Sequence, residues 1–174
     1  MVDIKIIKGS NLSSELFKEI AKIITTAFPW DEPLTKDFVK DNIFFIIYDK
    51  CKIVSVGRLK PDKIIFLKKK YNLMGVADIV SAEKGKGYGK TLMKSITEYL
   101  KEKNILGLGL CARKNSEFYE KCGFTIAKDL AKRFYFNGPQ SNDDDVLYYN
   151  DIKCLINQIL ANPDENVNSK CKSW

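Results

Sequence analysis

The fold is decided by the stretch MGVADIVSAEKGKGYGKTLM, residues 74–93. It begins as an apolar run over 74–81 that Asp78 alone interrupts, and it ends in the first turns of an amphipathic helix. Another apolar run, 106–111, follows that helix. A strand, a helix and a second strand in this order predict two parallel strands joined by a right-handed crossover. The chain is therefore predicted to have a mixed α/β fold.

Other hydrophobic patterns add antiparallel strands and helices. Strand-like runs outside the central stretch lie at 3–7, 43–48, 52–59, 64–67, 124–127 and 146–149. Turns predicted at 49–51 and 60–63 join three of these runs into an antiparallel meander. Ser13 is predicted to cap a first helix, and Thr35 a shorter second one. We expect a single domain over residues 1–162, followed by a polar tail over 163–174.

The composition removes several kinds of site. The 174 residues include no histidine, which excludes Ser-His-Asp and Cys-His catalysis and any histidine general base. The five cysteines form no C-x-x-C pair, so we predict neither a disulfide framework nor a metal site. Scattered thiols fit a reducing compartment. There is no apolar run of about 18 residues and no recognisable signal sequence, so a cytoplasmic protein without a membrane partner is expected.

The net charge of +7 is unevenly distributed along the chain. Residues 138–174 carry six acids and three lysines, so the excess positive charge belongs to the first 137 residues. A basic body favours an anionic partner such as a phosphorylated cofactor, a nucleic acid or an acidic lipid. No recognisable nucleic-acid-binding motif accompanies the charge, and a nucleic-acid partner is not favoured.

Glycines at 85, 87 and 89 lie between the central strand and its helix. Glycine lets the backbone turn sharply and approach a ligand closely, and the free N–H groups at a helix N-terminus bind phosphate oxygens. Three lysines add positive charge at the same place. The spacing matches neither G-x-x-x-x-G-K-[ST] nor G-x-G-x-x-G. The local pattern therefore predicts a diphosphate site without identifying its ligand.

Two segments together resemble one enzyme family. Residues 83–93 resemble the acetyl-CoA loop of GNAT-type N-acetyltransferases, and EFYEKCGF at 117–124 resembles that family's second landmark. Two positions depart from the pattern: Lys84 stands where the family prefers glutamine or arginine, and Ala112 where it usually has asparagine. The resemblance implies one domain with a mixed, mostly antiparallel sheet of six to seven strands, a central parallel pair, and helices on both faces.

The resemblance also implies acetyl-CoA as the co-substrate and assigns roles to residues. Backbone groups that bind its pantetheine arm and diphosphate would come from Ile79, Val80, Ser81, Gly85, Lys86, Gly87, Tyr88, Gly89 and Lys90. Tyr119 would protonate the departing thiolate, because a phenol can pass a proton to a base of similar strength. Asp78 is a candidate general base for the attacking amine, and the alternative is a carboxylate that faces solvent.

The acceptor contacts rest on a thinner resemblance. Asp31 and Glu32 lie in the break between the first two helices, which borders the substrate in this family. The segment GPQSNDDDV at 138–146 and the final Trp174 resemble the branch that acetylates aminoglycosides at the 2′ amine. That resemblance makes Asp145 a candidate substrate contact. For Asp31 and Glu32 the alternative is a solvated loop.

The predicted function is transfer of an acetyl group from acetyl-CoA to a primary amine of a small molecule, by direct attack in a ternary complex. Several acceptors stay open: an aminoglycoside, a polyamine, an amino acid, and a protein lysine or N-terminus. The alternatives to this activity are a non-catalytic acyl-CoA-binding domain and a basic nucleic-acid-binding module. The expected partners are acetyl-CoA and the amine acceptor, with a homodimer as a further option.

Overall fold

A computed structural model of the protein describes residues 2–29, 33–171 and 174, which form a mixed α/β structure with nine strands. Contacts divide the chain into two units: residues 1–60 with 77–96, and residues 61–76 with 97–174. Hydrogen bonding places the strands in the order 2–8, 43–49, 52–66, 69–81, 107–111, 145–149 and 125–127, while 167–169 pairs with 52–66 and with 134–136. No helix in the described ranges is long and apolar enough to span a membrane.

The first unit is built on an antiparallel meander. Its elements are β1 (Val2–Lys8), α1 (Ser14–Ala27), α2 (Lys36–Val39), β2 (Ile43–Asp49), and parts of β3 (Lys52–Phe66), β4 (Lys69–Ser81) and α3 (Tyr88–Glu102). Both predicted caps are confirmed. The Ser13 side chain accepts a hydrogen bond from the Leu16 amide at 3.1 Å, and Thr35 accepts one from the Phe38 amide at 3.3 Å.

Helices cover both faces of the sheet in the first unit, as the fold class predicts. Ile46 and Val56 belong to the buried cluster that packs against α1. The opposite face carries Gly57, which lies opposite Phe45 in the β2–β3 register. A Cβ atom on Gly57 would lie 3.1 Å from the Leu92 side chain of α3. Glycine at this position therefore lets α3 lie close to the strand.

The second unit contains the predicted parallel pair. Its further elements are β5 (Gly107–Cys111), α4 (Ser116–Lys121), β6 (Thr125–Ala127), β7 (Phe134–Phe136), β8 (Asp145–Tyr149), α5 (Leu155–Ala161) and β9 (Val167–Ser169). Met74 and Gly75 of β4 pair in parallel with Gly107 and Leu108 of β5. The pairs β5–β8 and β6–β8 are antiparallel. The mixed, mostly antiparallel sheet is thus confirmed.

The predicted turn at 60–63 is wrong. Strand β3 runs without interruption from Lys52 to Phe66, and the reversal occurs instead at Leu67 and Lys68, where φ is +47° and +61°. Pro61 and Asp62 made the segment resemble a turn, but the apolar side chains on either side of it are buried in the sheet. The local turn chemistry was overridden by burial of the strand.

The C-terminal segment also differs from the predicted polar tail. Val167 is fully buried and begins β9, which pairs with β3 and β7. The Trp174 ring packs edge-on against Phe134 and Phe136, with centroid distances of 5.8 and 5.0 Å. The short strands β7 and β9 bring the sheet to nine strands rather than six or seven. Val167 and Trp174 thus attach an otherwise polar C-terminal segment to the rest of the second unit. The domain boundary at residue 162 stays a prediction.

Candidate active site

The glycine turn between β4 and α3 is exposed and strongly curved. Gly85 and Gly87 have φ of +80° and +79°, and a Cβ atom at either position would meet nothing within 4 Å. The first intrahelical hydrogen bond of α3 runs from the Thr91 amide to the Gly87 carbonyl at 3.0 Å. The amides that precede Thr91 therefore lack partners within the helix. Open space, free amides and the positive end of a helix dipole together suit an anionic ligand.

Charge and anchoring support the same use of this turn. Lys84, Lys86 and Lys90 are all exposed around it. The Tyr88 hydroxyl donates a hydrogen bond to Asp49 Oδ2 at 2.7 Å, which fastens the start of α3 to the end of β2. This hydrogen bond also raises the pKa of the Tyr88 phenol. Tyr88 thus attaches the turn to the sheet, while Gly85 and Gly87 remain accessible to a ligand from solvent.

The end of β4 is held by Ser55 of β3. The Ser55 hydroxyl donates to the Val80 carbonyl at 2.7 Å and lies 2.8 Å from Ser81 Oγ. The Ala82 amide donates to the Val54 carbonyl at 2.9 Å. These bonds hold the backbone of the predicted pantetheine-binding residues in a defined position.

Asp78 distorts the backbone of β4 without ending the strand. Its φ is +52°, a left-handed conformation that a non-glycine residue adopts at a cost in free energy. The carboxylate accepts a hydrogen bond from Arg58 Nε on β3, and the two side chains are only 9% and 5% exposed. The solvent-facing alternative for Asp78 is therefore wrong. The carboxylate instead lies in a buried ion pair.

Tyr119 lies on α4 and is half-buried. Its ring contacts Phe124 edge-on at 6.4 Å between centroids, and its hydroxyl makes no hydrogen bond within the described part of the chain. Burial, and then the nearby Cys111, Asp143 and Cys122, raise the pKa of the phenol well above its ordinary value. The phenol therefore keeps its proton at neutral pH.

Asp145 is fully buried at the start of β8. Its Oδ1 accepts hydrogen bonds from the Asp129 amide at 2.9 Å and from Arg113 Nη2 at 3.0 Å, while Oδ2 accepts one from Ser116 Oγ at 2.7 Å. Burial raises its pKa, but these three donors together bring it below the ordinary value. This geometry does not support the predicted substrate contact, because the carboxylate is enclosed and occupied.

The two units divide the predicted residues between them. Asp78, Ile79–Ser81 and the turn 85–90 belong to the first unit, whereas Tyr119 and Asp145 belong to the second. Asp31 and Glu32 lie outside the described residues. Within the described ranges, no group of three or more cysteine and acidic side chains is placed to hold a metal ion.

The sequence did not identify the partners of these side chains. Arg58 is a cation within the mostly apolar strand pattern IVSVGRL, residues 53–59, and a buried cation in such a strand needs an anionic partner. That signal could have been combined with Asp78, the charged residue within the apolar run 74–81, but the two were not connected. Ser55 and Ser116 carried no comparable signal, because an isolated serine fits a core strand or a helix start equally well.

Comparison with known proteins identifies the family of this chain. Residues 40–126, half of the chain, match the family model described as the acetyltransferase (GNAT) domain. No curated protein sequence gives a significant match.

Several solved structures share the fold. An acyl-CoA N-acyltransferase from Pseudomonas aeruginosa is 12% identical with a TM-score of 0.60, over 84% of this chain and 97% of that chain. Escherichia coli ElaA is 15% identical with a TM-score of 0.64, over 85% and 99% of the two chains. The catalytic domain of the Tetrahymena GCN5 histone acetyltransferase, solved with coenzyme A, is 14% identical with a TM-score of 0.58, over 85% and 92%. These likenesses show a common fold, and the family match shows that the chain belongs to the GNAT acetyltransferase family.

Proposed function

We propose that this protein transfers the acetyl group of acetyl-CoA to a primary amine of a small molecule, by direct attack within a ternary complex. One observation carries the proposal: the exposed turn with two positive-φ glycines, which leads into a helix whose first amides have no partner within the helix. A diphosphate has the charge and the acceptor oxygens that such a turn binds. The match to the acetyltransferase family makes acetyl-CoA the expected donor.

The turn and strand would hold the donor through backbone groups. The residues 85–90 supply amides and lysine charge to the diphosphate. Ile79, Val80 and Ser81 supply main-chain groups to the pantetheine arm, in the way that a sheet edge binds an extended peptide. Substitutions that keep the backbone conformation should be tolerated there, whereas added side chains at the glycines should not.

Tyr119 would donate a proton to the sulfur when the thioester C–S bond breaks. The raised pKa of its phenol keeps that proton in place at neutral and mildly alkaline pH. Burial disfavours a thiolate as it does a phenolate. The proton affinities of the donor and the leaving group therefore rise together, and transfer between them stays feasible.

Asp78 would accept the proton that the amine loses. Arg58 Nε binds one carboxylate oxygen, Oδ2, and fixes the orientation of the group. The other oxygen, Oδ1, is then the one available to the amine. No disulfide joins the five cysteines in the described part of the chain, and the proposal includes a reducing, cytoplasmic location.

The test is Tyr119→Phe, which removes the hydroxyl and keeps the ring. Steady-state rates with acetyl-CoA are measured against a panel of small amines, aminoglycosides, lysine peptides and peptides with a free N-terminus. General acid catalysis contributes about 10²- to 10⁴-fold, so kcat should fall by at least about 100-fold. Thermal stabilisation by acetyl-CoA should not change, since the turn is untouched.

Tyr135→Phe is the matched control, because Tyr135 lies on β7 and takes no part in the candidate site. Its kcat should equal that of the unmodified protein. Stabilisation by acetyl-CoA without turnover of any amine would favour the non-catalytic acyl-CoA-binding alternative. Turnover confined to the peptides would favour the protein acetyltransferase alternative, and an unchanged kcat in Tyr119→Phe would remove this residue from the mechanism.

A further inference from the structure

We propose that the amine acceptor also carries a compact anionic group, most simply a carboxylate, and that Arg58 binds it. The proposal rests on the proposed function and names its substrate class: small molecules with an amine and a carboxylate, such as amino acids. The evidence for it begins with the buried guanidinium of Arg58, one nitrogen of which has no hydrogen-bond partner within the described residues.

Arg58 is only partly satisfied. Its side chain is 5% exposed, and Nε donates to Asp78. Its Nη1 is buried and has no hydrogen-bond partner within the described part of the chain. Buried polar groups are nearly always paired, and a charged donor left alone costs more than a neutral one. An unpaired guanidinium nitrogen inside an enzyme of this family indicates a place for an anion.

The surroundings of Arg58 combine positive charge with an exposed aromatic ring. Arg58 Cζ lies 5.6 Å from the centre of the Phe38 ring, and Lys60 Nζ lies 4.5 Å from the same centre. Phe38 is 42% exposed and belongs to the four-residue helix α2. Solvent therefore reaches the ring that lies beside both cations.

The charges favour an acceptor with both signs. A guanidinium offers a planar set of donors that matches the two oxygens of a carboxylate. Asp78, held directly beside Arg58, offers an oxygen to an ammonium group and then to the proton that the amine loses. A molecule with an amine close to a carboxylate pairs with both residues at once. A polycationic aminoglycoside would bring positive charge to Arg58 and Lys60, which disfavours it at this position.

The experiment compares each standard amino acid with its own carboxamide. The carboxamide keeps the amine and the side chain but removes the negative charge. With acetyl-CoA saturating, kcat/KM for the preferred amino acid should exceed that of its carboxamide by at least about tenfold, as expected for a charge-assisted pair. The same pairs are then measured with Arg58→Lys, which keeps the positive charge beside Asp78 but loses the planar donors.

In Arg58→Lys the ratio of the two kcat/KM values should fall towards one, mainly through loss with the amino acid. Lys52→Gln is the control, because it removes an exposed cation from the same strand and should keep the ratio. Thermal stabilisation by acetyl-CoA must persist in both variants, which shows that they are folded and bind the donor.

Carboxamides acetylated as fast as the acids, a ratio that survives Arg58→Lys, or turnover confined to amines without an acidic group would each overturn the proposal. Those results would leave the proposed function standing if acetyl-CoA still stabilises the protein and some amine is acetylated. Absence of stabilisation by acetyl-CoA would instead overturn the proposed function, and this proposal with it.

Discussion

Replacing the buried carboxylate of Asp145 should lower the free energy of unfolding by a measurable amount. Asp145→Asn keeps the shape of the side chain and removes its charge. The three donors that Asp145 satisfies lie on different segments: the Asp129 amide, the Arg113 guanidinium and the Ser116 hydroxyl. Ser116 is the first residue of α4, the helix that carries Tyr119. The substitution should therefore loosen the support of the candidate general acid.

The expected cost follows from these bonds. Hydrogen bonds to a charged group contribute about 1.5–3 kcal/mol each and neutral ones about 0.5–1.5, so losing the charge costs roughly 1 kcal/mol a bond. An asparagine can direct its oxygen to Asp129 and Arg113 and its amide to Ser116, so no partner is lost outright. Arg113 is half exposed, and solvent screening reduces its share. The free energy of unfolding should fall by about 2 kcal/mol, which lowers Tm by roughly 4–8 °C.

The effect should depend on pH with a definite sign. The folded protein holds the pKa of Asp145 below its ordinary value. The ionised carboxylate therefore stabilises the fold at pH values above the unfolded pKa, about 3.9, and this stabilisation disappears as pH falls through the folded pKa. Thermal melts followed by circular dichroism should show the largest gap between the two proteins at pH 7. The gap should narrow progressively below about pH 4.

Asp143→Asn is the matched control two residues away, and it should behave in the opposite way. Burial, and then the neighbouring Asp144, raise the pKa of Asp143. A carboxyl group with a raised pKa weakens the fold when it ionises, so its removal should leave Tm at pH 7 unchanged or slightly higher. An Asp145→Asn protein that melts within 1 °C of the unmodified protein, or a gap that is the same at pH 7 and pH 3, would refute the reasoning.

Two further predictions use calorimetric or optical melts. Gly87→Ala should cost about 1–2 kcal/mol of backbone strain at a φ of +79°, and it should also reduce stabilisation by acetyl-CoA. Gly138→Ala, at a φ of +112°, is the control: it should lose stability through backbone strain but keep its stabilisation by acetyl-CoA. Equal increases in Tm on adding acetyl-CoA to the two variants would contradict the phosphate site. Trp174→Ala should lower the unfolding free energy by about 3 kcal/mol, because the ring packs on Phe136 and donates to Asp62 at 2.6 Å. A change in Tm below 1 °C would show that this C-terminal contact is absent in solution.

The sequence predicted the central architecture because the deciding signals are local. The stretch 74–93 holds a strand, a glycine turn and an amphipathic helix in succession, and each signal needs only its neighbours to form. The helix caps at Ser13 and Thr35 were predictable for the same reason, since a cap contacts amides within three residues. Such features depend on residues that are neighbours in the sequence and not on tertiary contacts.

The errors concern contacts between distant residues. Nothing near residues 60–63 indicated that β3 would continue, because that depends on burial between strands far apart in sequence. Nothing near residue 167 indicated β9, because its register depends on Ile64 and Phe134. The pairing of Arg58 with Asp78 likewise joins two strands, and it depends on the left-handed backbone at Asp78. Local propensity does not report such pairings.

Hydrogen bonding distinguishes the structural role of Asp145 from the proposed catalytic role of Asp78. Asp145 accepts three hydrogen bonds that occupy both of its carboxylate oxygens. The pair of Asp78 and Arg58 is also largely buried, yet Asp78 has a strained backbone and one guanidinium nitrogen of Arg58 has no partner within the described residues. Selection for stability alone would remove both costs, for example with a hydrophobic pair of similar volume. The presence of both costs in this chain argues that the missing partner is a ligand, and the comparison of amino acids with their carboxamides tests for that ligand directly.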